Sequence, residues 1–208
     1  MRKITKIIST IIIATLTFII VVLFGFYFWL NQRLYKVIDK ETYDYLVETI
    51  KTSPDLPEKF YSIYGQLTNY DEESTTKRFI FYKTAGLLSF DNFREIKHPC
   101  PCVNANYGIE YHTFDTWTVG LALDKDVTPK KCLDFYLSKL DFSFSVKGIQ
   151  NASIFYFHKN MNELTDDEML ELSIMAINPY TFNKLRQPER LKSKMIELKS
   201  KIKNAENK

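Results

Sequence analysis

The fold is decided by residues 146–190, which read VKGIQNASIFYFHKNMNELTDDEMLELSIMAINPYTFNKLRQPER. Gly148 opens an apolar run at residues 149–157, and a polar turn over residues 158–162 follows that run. Three side chains of the run share one helical face: Ile149, Ala152 and Tyr156. Apolar residues at this spacing predict a helix with one buried face.

A second predicted helix begins at Thr165, whose hydroxyl can cap it, and Glu168 three residues later completes a capping box. Residues 169–177 are apolar nearly all round, with Glu171 as their only charge. A helix without a polar face is buried inside a protein, so we expect this helix to lie in the core. Pro179 ends it, because proline cannot continue the ladder of hydrogen bonds.

Short motifs follow one another along this stretch in a fixed order. They are Gly148-Ile149, Ala152-Ser153, Tyr156-Phe157, Leu164-Thr165 with Glu168, Asn178-Pro179 or Asn183, and Pro188-Glu189-Arg190. Their order and spacing resemble the family 51 peptidoglycan glycosyltransferases, the lysozyme-like domain of class A penicillin-binding proteins and of monofunctional transglycosylases. The resemblance runs from about residue 120 to residue 198 and is faint upstream. It includes Asp124 and Asp134, which stand where the family has acids.

Composition limits the class of protein. The chain of 208 residues has room for one domain and an anchor, and 45% apolar residues predict a folded core. Residues 1–36 carry five basic residues and no acid, residues 184–208 have a net charge of +6, and the middle is about −8. Basic ends on an acidic body argue against a nucleic-acid binder and suit ends near an anionic membrane. Alternatively, residues 199–208 are a solvated, frayed tail.

Residues 7–30 contain no charge and are long enough to cross a bilayer. Aromatic side chains gather at the far end of this run: Phe24, Tyr27, Phe28 and Trp29. A cleaved signal peptide would have a shorter core ending in small residues, so we predict an uncleaved anchor. The basic side chains before it outnumber Arg33 and Lys36 after it, which places the N-terminus in the cytoplasm. The resemblance implies the same topology, and with it the expected location is the bacterial inner (cytoplasmic) membrane, single-pass, with the domain extracytoplasmic.

The resemblance implies a mainly α fold, with one N-terminal transmembrane helix and a reduced lysozyme-like glycosyltransferase lobe. The expected division of the chain is a cytoplasmic tail (1–6), the transmembrane helix (7–30), a juxtamembrane helix or linker (31–55), the glycosyltransferase-like domain (56–198) and a basic tail (199–208).

Helical spacing predicts three further helices. One covers residues 41–51, one opens at Leu56-Pro57, and one covers residues 130–140 after a Thr128 cap. Residues 71–77 are expected to form a polar loop, and residues 117–126 a short helix or an extended segment. The aromatic run at residues 79–90 is expected in the core. In the family this region contributes to a jaw lobe that touches the membrane, so a partly lipid-facing surface is the alternative. Prolines predict irregular structure across residues 96–111.

Three cysteines allow one disulfide and one free thiol. Cys132 could pair with either Cys100 or Cys102, whereas these two neighbours would bridge only with strain. A zinc site built from His98, Cys100, Cys102 and His112 is the competing interpretation, but the spacing matches no common zinc signature.

The resemblance also implies a reaction, in which a glutamate acts as general base on a sugar hydroxyl while a lipid pyrophosphate leaves. Leu56-Pro57 and Phe60 match the opening of the family's first motif, but Thr68-Asn69 stand where Glu-Asp is expected. Glu72 or Glu73 is the nearest substitute. The second motif has no counterpart, and the third should fall at residues 112–116, where Asp115 is the only acid.

The candidate catalytic residues are therefore Glu72 and Asp115, and no cofactor or metal is expected. We predict a membrane protein of cell-wall biogenesis that is catalytically degenerate and binds glycan, a lipid-linked peptidoglycan precursor or another cell-wall protein, and no nucleic acid. Two alternatives remain open: a divergent active transglycosylase, and a structural interaction module in a membrane assembly.

Overall fold

The computed structural model describes residues 2–71, 73–88, 100–106 and 112–206, with side chains described for 6–71, 73–84, 100–106 and 112–200. Within these residues the chain forms α1 (Arg2–Gln32), α2 (Leu34–Val37), α3 (Lys40–Lys51), α4 (Glu58–Thr68), α5 (Thr76–Leu88), α6 (Pro101–Asn104), α7 (Thr113–Asp126), α8 (Pro129–Lys139), α9 (Ile149–Phe157), a 3-10 turn (Met161–Glu163), α10 (Asp166–Ile177) and α11 (Pro188–Glu206). The predicted mainly α, lysozyme-like class is confirmed.

Helix α10 forms the centre of the largest hydrophobic cluster and packs against α4, α9 and α11. Leu172, Ile174 and Met175 have no exposed side-chain surface. The start of the helix is the predicted capping box, because Thr165 accepts from the Glu168 N–H and Glu168 accepts from the Thr165 N–H. The buried helix and its cap are therefore confirmed.

Helix α9 begins at Ile149 because Gly148 supplies a backbone conformation that other residues rarely adopt. Gly148 has φ = +87°, and a Cβ on it would lie 2.7 Å from the Ser138 carbonyl oxygen. The Gly148 N–H also donates to the Leu140 carbonyl at 2.8 Å. This glycine therefore joins the end of α8 to the start of α9 at backbone-contact distance.

A second hydrophobic cluster joins α3, α6, α7 and α8. A disulfide between Cys102 and Cys132 links α6 to α8 inside it. Cys100 is buried and donates its thiol to the Thr76 hydroxyl at 3.4 Å. The zinc interpretation is therefore wrong, because a disulfide sulfur cannot serve as a thiolate ligand. His98 lies outside the described residues.

Helix α1 contains the candidate membrane span Lys6–Gln32, which has a mean hydropathy of 2.9. None of the most apolar part of this span is buried inside the protein. Among the described residues, its contacts with the rest of the protein lie at its C-terminal end. Leu30 is fully buried there in a third cluster with Ile80 of α5 and Leu121 of α7. Most of the long apolar helix is therefore exposed, and its C-terminal end packs against the lobe.

Several predicted boundaries need correction. The loop expected at residues 71–77 ends earlier, because α5 begins at Thr76, and residues 117–126 belong to a longer helix, α7. Residues 101–104 are helical, because Pro101 occupies the first position of α6, where its missing N–H costs nothing. In the described part of the aromatic run at residues 79–90, burial differs between neighbours. Ile80 is buried in the core, whereas Phe81 is 64% exposed.

The remaining predicted helices have the expected faces. In α3 the side chains of the predicted apolar face are all buried: Tyr43, Leu46, Val47 and Ile50. Thr128 caps α8 by accepting from the Lys131 N–H. The C-terminal segment continues as α11 to Glu206, and Lys199 in it pairs with Asp167 at 2.7 Å.

Candidate functional site

The first motif of the family falls at the C-terminal end of α4. The Thr68 hydroxyl donates to the Tyr64 carbonyl at 2.7 Å, and Asn69 takes a left-handed conformation (φ = 58°) that ends the helix. These residues complete a helix end and supply no carboxylate. Glu72 lies outside the described residues, and the Glu73 side chain is 90% exposed.

The other candidate, Asp115, lies in the first turn of α7. Its Oδ1 is 2.6 Å from Nη2 of Arg33, and the two side chains are 14% and 27% exposed. The Arg33 guanidinium also lies 4.4 Å from the centre of the Trp29 ring. Trp29 packs edge-on against Phe114, which precedes Asp115. The carboxylate therefore fixes the start of α7 to the end of the apolar helix.

Asp124, at the end of α7, is a structural acid. Its two carboxylate oxygens accept from the Thr76 N–H at 2.8 Å and the Thr76 hydroxyl at 3.0 Å, and a longer bond comes from the Lys77 N–H. These contacts cap the N-terminus of α5. Burial raises the pKa of Asp124, and the bonds from Thr76 oppose that shift.

Asp134, on α8, is the most deeply buried carboxyl among the described side chains, at 1% exposure. The Tyr61 hydroxyl donates to Oδ1 and accepts from the Leu56 N–H at 3.0 Å. Within the described part of the chain, Oδ2 has no hydrogen-bond partner. Burial raises the Asp134 pKa to about 6, while the Tyr61 bond and the charge of Lys131 oppose the shift.

A cavity of about 100 Å³ adjoins this carboxyl. It lies between the α3–α4 connection, α8 and the start of α9, and its walls are formed by Pro54, Leu56, Asp134, Ser138, Gly148, Ile149, Gln150 and Asn151. The sequence carried one signal for this site: Asp134, in the predicted helix at residues 130–140, stands where the family has an acid. Sequence reasoning missed the cavity because its walls come from three separate segments.

A larger, open groove of about 360 Å³ runs along α11. Its walls mix both charge signs and are formed by Phe182, Glu189, Arg190, Ser193, Lys194 and Glu197. Among the described residues, no group of three or more histidine, cysteine or acidic side chains is placed to hold a metal ion.

The comparisons with known proteins support the resemblance seen in the sequence. A family model described as Transglycosylase matches residues 112–203. Penicillin-binding protein 1F of Bacillus subtilis (strain 168) is 33% identical over 76 residues, 36% of this chain and 11% of that protein. Penicillin-binding protein 4 of the same organism is 31% identical over 83 residues, 40% of this chain and 13% of that protein. The aligned part thus spans only about one eighth of these curated relatives. The resemblance expected from the sequence is confirmed, because residues 112–203 match the transglycosylase family model.

Proposed function

We propose that this protein is a membrane-anchored, peptidoglycan glycosyltransferase-like protein of cell-wall biogenesis that has lost glycosyl transfer. In this proposal it binds glycan, a lipid-linked peptidoglycan precursor or another cell-wall protein. The observation that carries the proposal is the ion pair between Asp115 and Arg33. Asp115 is the only acid where the family's third motif is expected, and this pair occupies it.

A general base must reach the proton that it removes from the substrate. Asp115 Oδ1 instead lies 2.6 Å from a guanidinium nitrogen, and freeing it would break the ion pair that ties the start of α7 to Arg33 at the end of α1. At the first motif, Thr68 and Asn69 complete the end of α4. Asp124 caps α5, and Glu168 caps α10 and binds Lys159. These acids therefore support the scaffold, which favours a binding role.

The proposed anchor is α1, whose apolar side chains are exposed along most of its length. The disulfide between Cys102 and Cys132 suits a domain on the oxidising side of the cytoplasmic membrane. Both features fit the proposed single-pass topology with an extracytoplasmic lobe, and residues 56–198 remain our proposed extent of the glycosyltransferase-like domain.

The test is a glycan polymerisation assay on the full chain in detergent with lipid-linked disaccharide precursor. We expect no polymer above background, because loss of a general base alone costs on the order of 10²–10⁴ in rate. An active transglycosylase in the same detergent serves as the positive control. Polymer that disappears in Glu72→Gln or Asp115→Asn would show a divergent enzyme, and polymer in all three proteins would place the base elsewhere. Either result would overturn the proposal.

A further inference from the structure

We propose that the α3–α4 connection, residues 52–57, is a pH-sensitive strap, which lies closed on α8 while Asp134 is protonated and opens locally when Asp134 is ionised. We call residues 52–57 the strap. The inference does not depend on the proposed function, because it concerns a conformational change and involves no ligand or reaction.

The strap is an irregular segment that few polar contacts attach to α8. It follows the end of α3 and precedes the start of α4, and Pro54 and Pro57 in it offer no backbone N–H. On α8, Lys131 Nζ donates to the Ser53 carbonyl at 2.7 Å and lies 2.9 Å from Asp55 Oδ1. The strap can therefore leave α8 without breaking the hydrogen-bond ladder of either helix.

One tyrosine joins the strap to the buried carboxyl. The Tyr61 hydroxyl accepts from the Leu56 N–H at 3.0 Å and donates to Asp134 Oδ1. Leu56 is 5% exposed and Asp134 is 1% exposed. Pro54 and Leu56 also line the cavity of about 100 Å³ that Asp134 lines, so the strap forms part of the wall around this carboxyl. Its departure would widen that cavity to water.

The closed strap leaves an ionised Asp134 poorly solvated. Within the described part of the chain, Oδ2 of Asp134 has no hydrogen-bond partner. A buried charge is unfavourable unless it is paired and fully hydrogen-bonded. Burial accordingly raises the pKa of Asp134 to about 6, and the bond from Tyr61 offsets this only in part. Opening of the strap would let water solvate the carboxylate.

The same ionisation weakens the attachment of the strap. Lys131 and Asp134 are three positions apart on α8 and are therefore neighbours on the helix surface. The charge of Lys131 lowers the pKa of Asp134, and the charge of Asp55 raises it. An ionised Asp134 thus competes with Asp55 for Lys131 and repels Asp55. Both effects drive the strap away from α8.

Charges on the other neighbouring elements are already paired. On α4, Glu58 lies 2.6 Å from Nζ of Lys130, which lies over the Tyr61 ring and slightly lowers the Asp134 pKa. On α3, Glu48 and Lys51 pair with each other at the surface. Helices α6 and α9 contain no acidic or basic side chain. Asp134 is therefore the carboxyl of this network that burial brings toward the neutral range.

The direction and size of the response follow from the two states. In the open state Asp134 is solvated, with a pKa near 3.8, and in the closed state the pKa is about 6. Ionisation therefore favours the open state as pH rises between these values. A difference of about two pKa units corresponds to a change of roughly 100-fold in the opening equilibrium. In the proposed topology the lobe lies outside the cytoplasm, where it would experience the acidity of the medium.

The test is hydrogen exchange of the full chain in detergent, read by mass spectrometry with fragmentation that resolves the Leu56 N–H. Rates are corrected for the intrinsic pH dependence of amide exchange. We expect protection of Leu56 to fall about 30- to 100-fold between about pH 4 and about pH 7.5. The N–H groups of Leu172 and Ile174 in α10 should stay more protected than that of Leu56 at both pH values, because the core remains folded.

Three variants separate the causes. Asp134→Asn removes the titrating charge, so protection of Leu56 should change less than about threefold over the same range. Lys131→Gln removes the attachment to the strap, so Leu56 should exchange at least about threefold faster at about pH 4. The matched control is Asp126→Asn, which alters a similar bond, from the Tyr43 hydroxyl at 2.6 Å, between α3 and α7. It should keep the full pH response.

Constant protection of Leu56 in the unmodified chain, or an equal pH response in Asp134→Asn, would overturn the inference. Equal protection of Leu56 and α10 would also overturn it, because the opening would then be global unfolding. Exchange in Lys131→Gln that matches the unmodified chain would contradict the attachment to α8, with the same consequence. If Asp134→Asn does not fold, the unmodified chain and Lys131→Gln still decide between these outcomes.

Discussion

The buried carboxyl of Asp134 gives the fold an unusual dependence on pH. Its pKa is about 6 in the folded chain, because burial disfavours the charged form, and 3.8 for a solvated aspartate such as the unfolded chain presents. Between these two values the folded state binds more protons than the unfolded state. Stability therefore falls as pH rises from about 4 to about 6 and then levels off.

The magnitude follows from the difference in pKa. At 1.36 kcal/mol per pKa unit, a difference of about two units corresponds to roughly 2–3 kcal/mol of destabilisation above pH 6. Asp134→Asn removes the titrating group. We therefore expect the free energy of unfolding of the unmodified chain, relative to the variant, to fall by that amount between pH 4 and pH 7.

The measurement is denaturant unfolding in mild detergent, followed by circular dichroism at several pH values for both proteins. The bond from Lys159 lowers the pKa of Glu168 to about 2, and Glu168 is present in both proteins, so its own pH dependence cancels in the comparison. The stability that Glu168 contributes is present above its unfolded pKa of 4.5 and is lost as pH falls toward 2. Curves for the two proteins that run parallel from pH 4 to pH 7 would refute the reasoning.

Three further changes test the packing, each by denaturant or thermal unfolding. Leu172→Ala should cost roughly 2–5 kcal/mol, because Leu172 is fully buried at the centre of the main cluster, and a much smaller loss would place α10 at the periphery. Gly148→Ala should cost about 2–4 kcal/mol, because the methyl needs a left-handed backbone and meets the Ser138 carbonyl, and a neutral result would contradict the tight α8–α9 joint. Replacing Cys132 by serine should cost roughly 3–4 kcal/mol by releasing a loop of 30 residues, and an equal loss in an already reduced chain would contradict that cause.

The parts of the fold that the sequence predicts well are those with local signals. The cap at Thr165 needs only Glu168 three residues later, and the end of α10 needs only Pro179. The apolar face of α3 follows from spacing alone. Each signal lies within a few residues, so no knowledge of tertiary contacts is required.

The candidate site depends instead on distant partners. Asp115 meets Arg33 across 82 positions, and the Tyr61 hydroxyl meets Asp134 across 73. No periodicity or cap reports such pairs. The choice between Cys100 and Cys102 as the partner of Cys132 likewise depended on how α6 packs against α8.

The joint between α1 and α7 also determines how the lobe can meet other molecules. Leu30 is buried against the lobe, Arg33 holds Asp115, and Lys125 donates to the Asn31 side chain at 3.1 Å. A domain joined to its membrane anchor by a flexible linker would sample many heights and orientations above the membrane. With α1 across a bilayer, this lobe would instead keep one height and one tilt. Encounters with molecules carried in the same membrane then become a two-dimensional search, in which only the angle about the membrane normal remains to be matched.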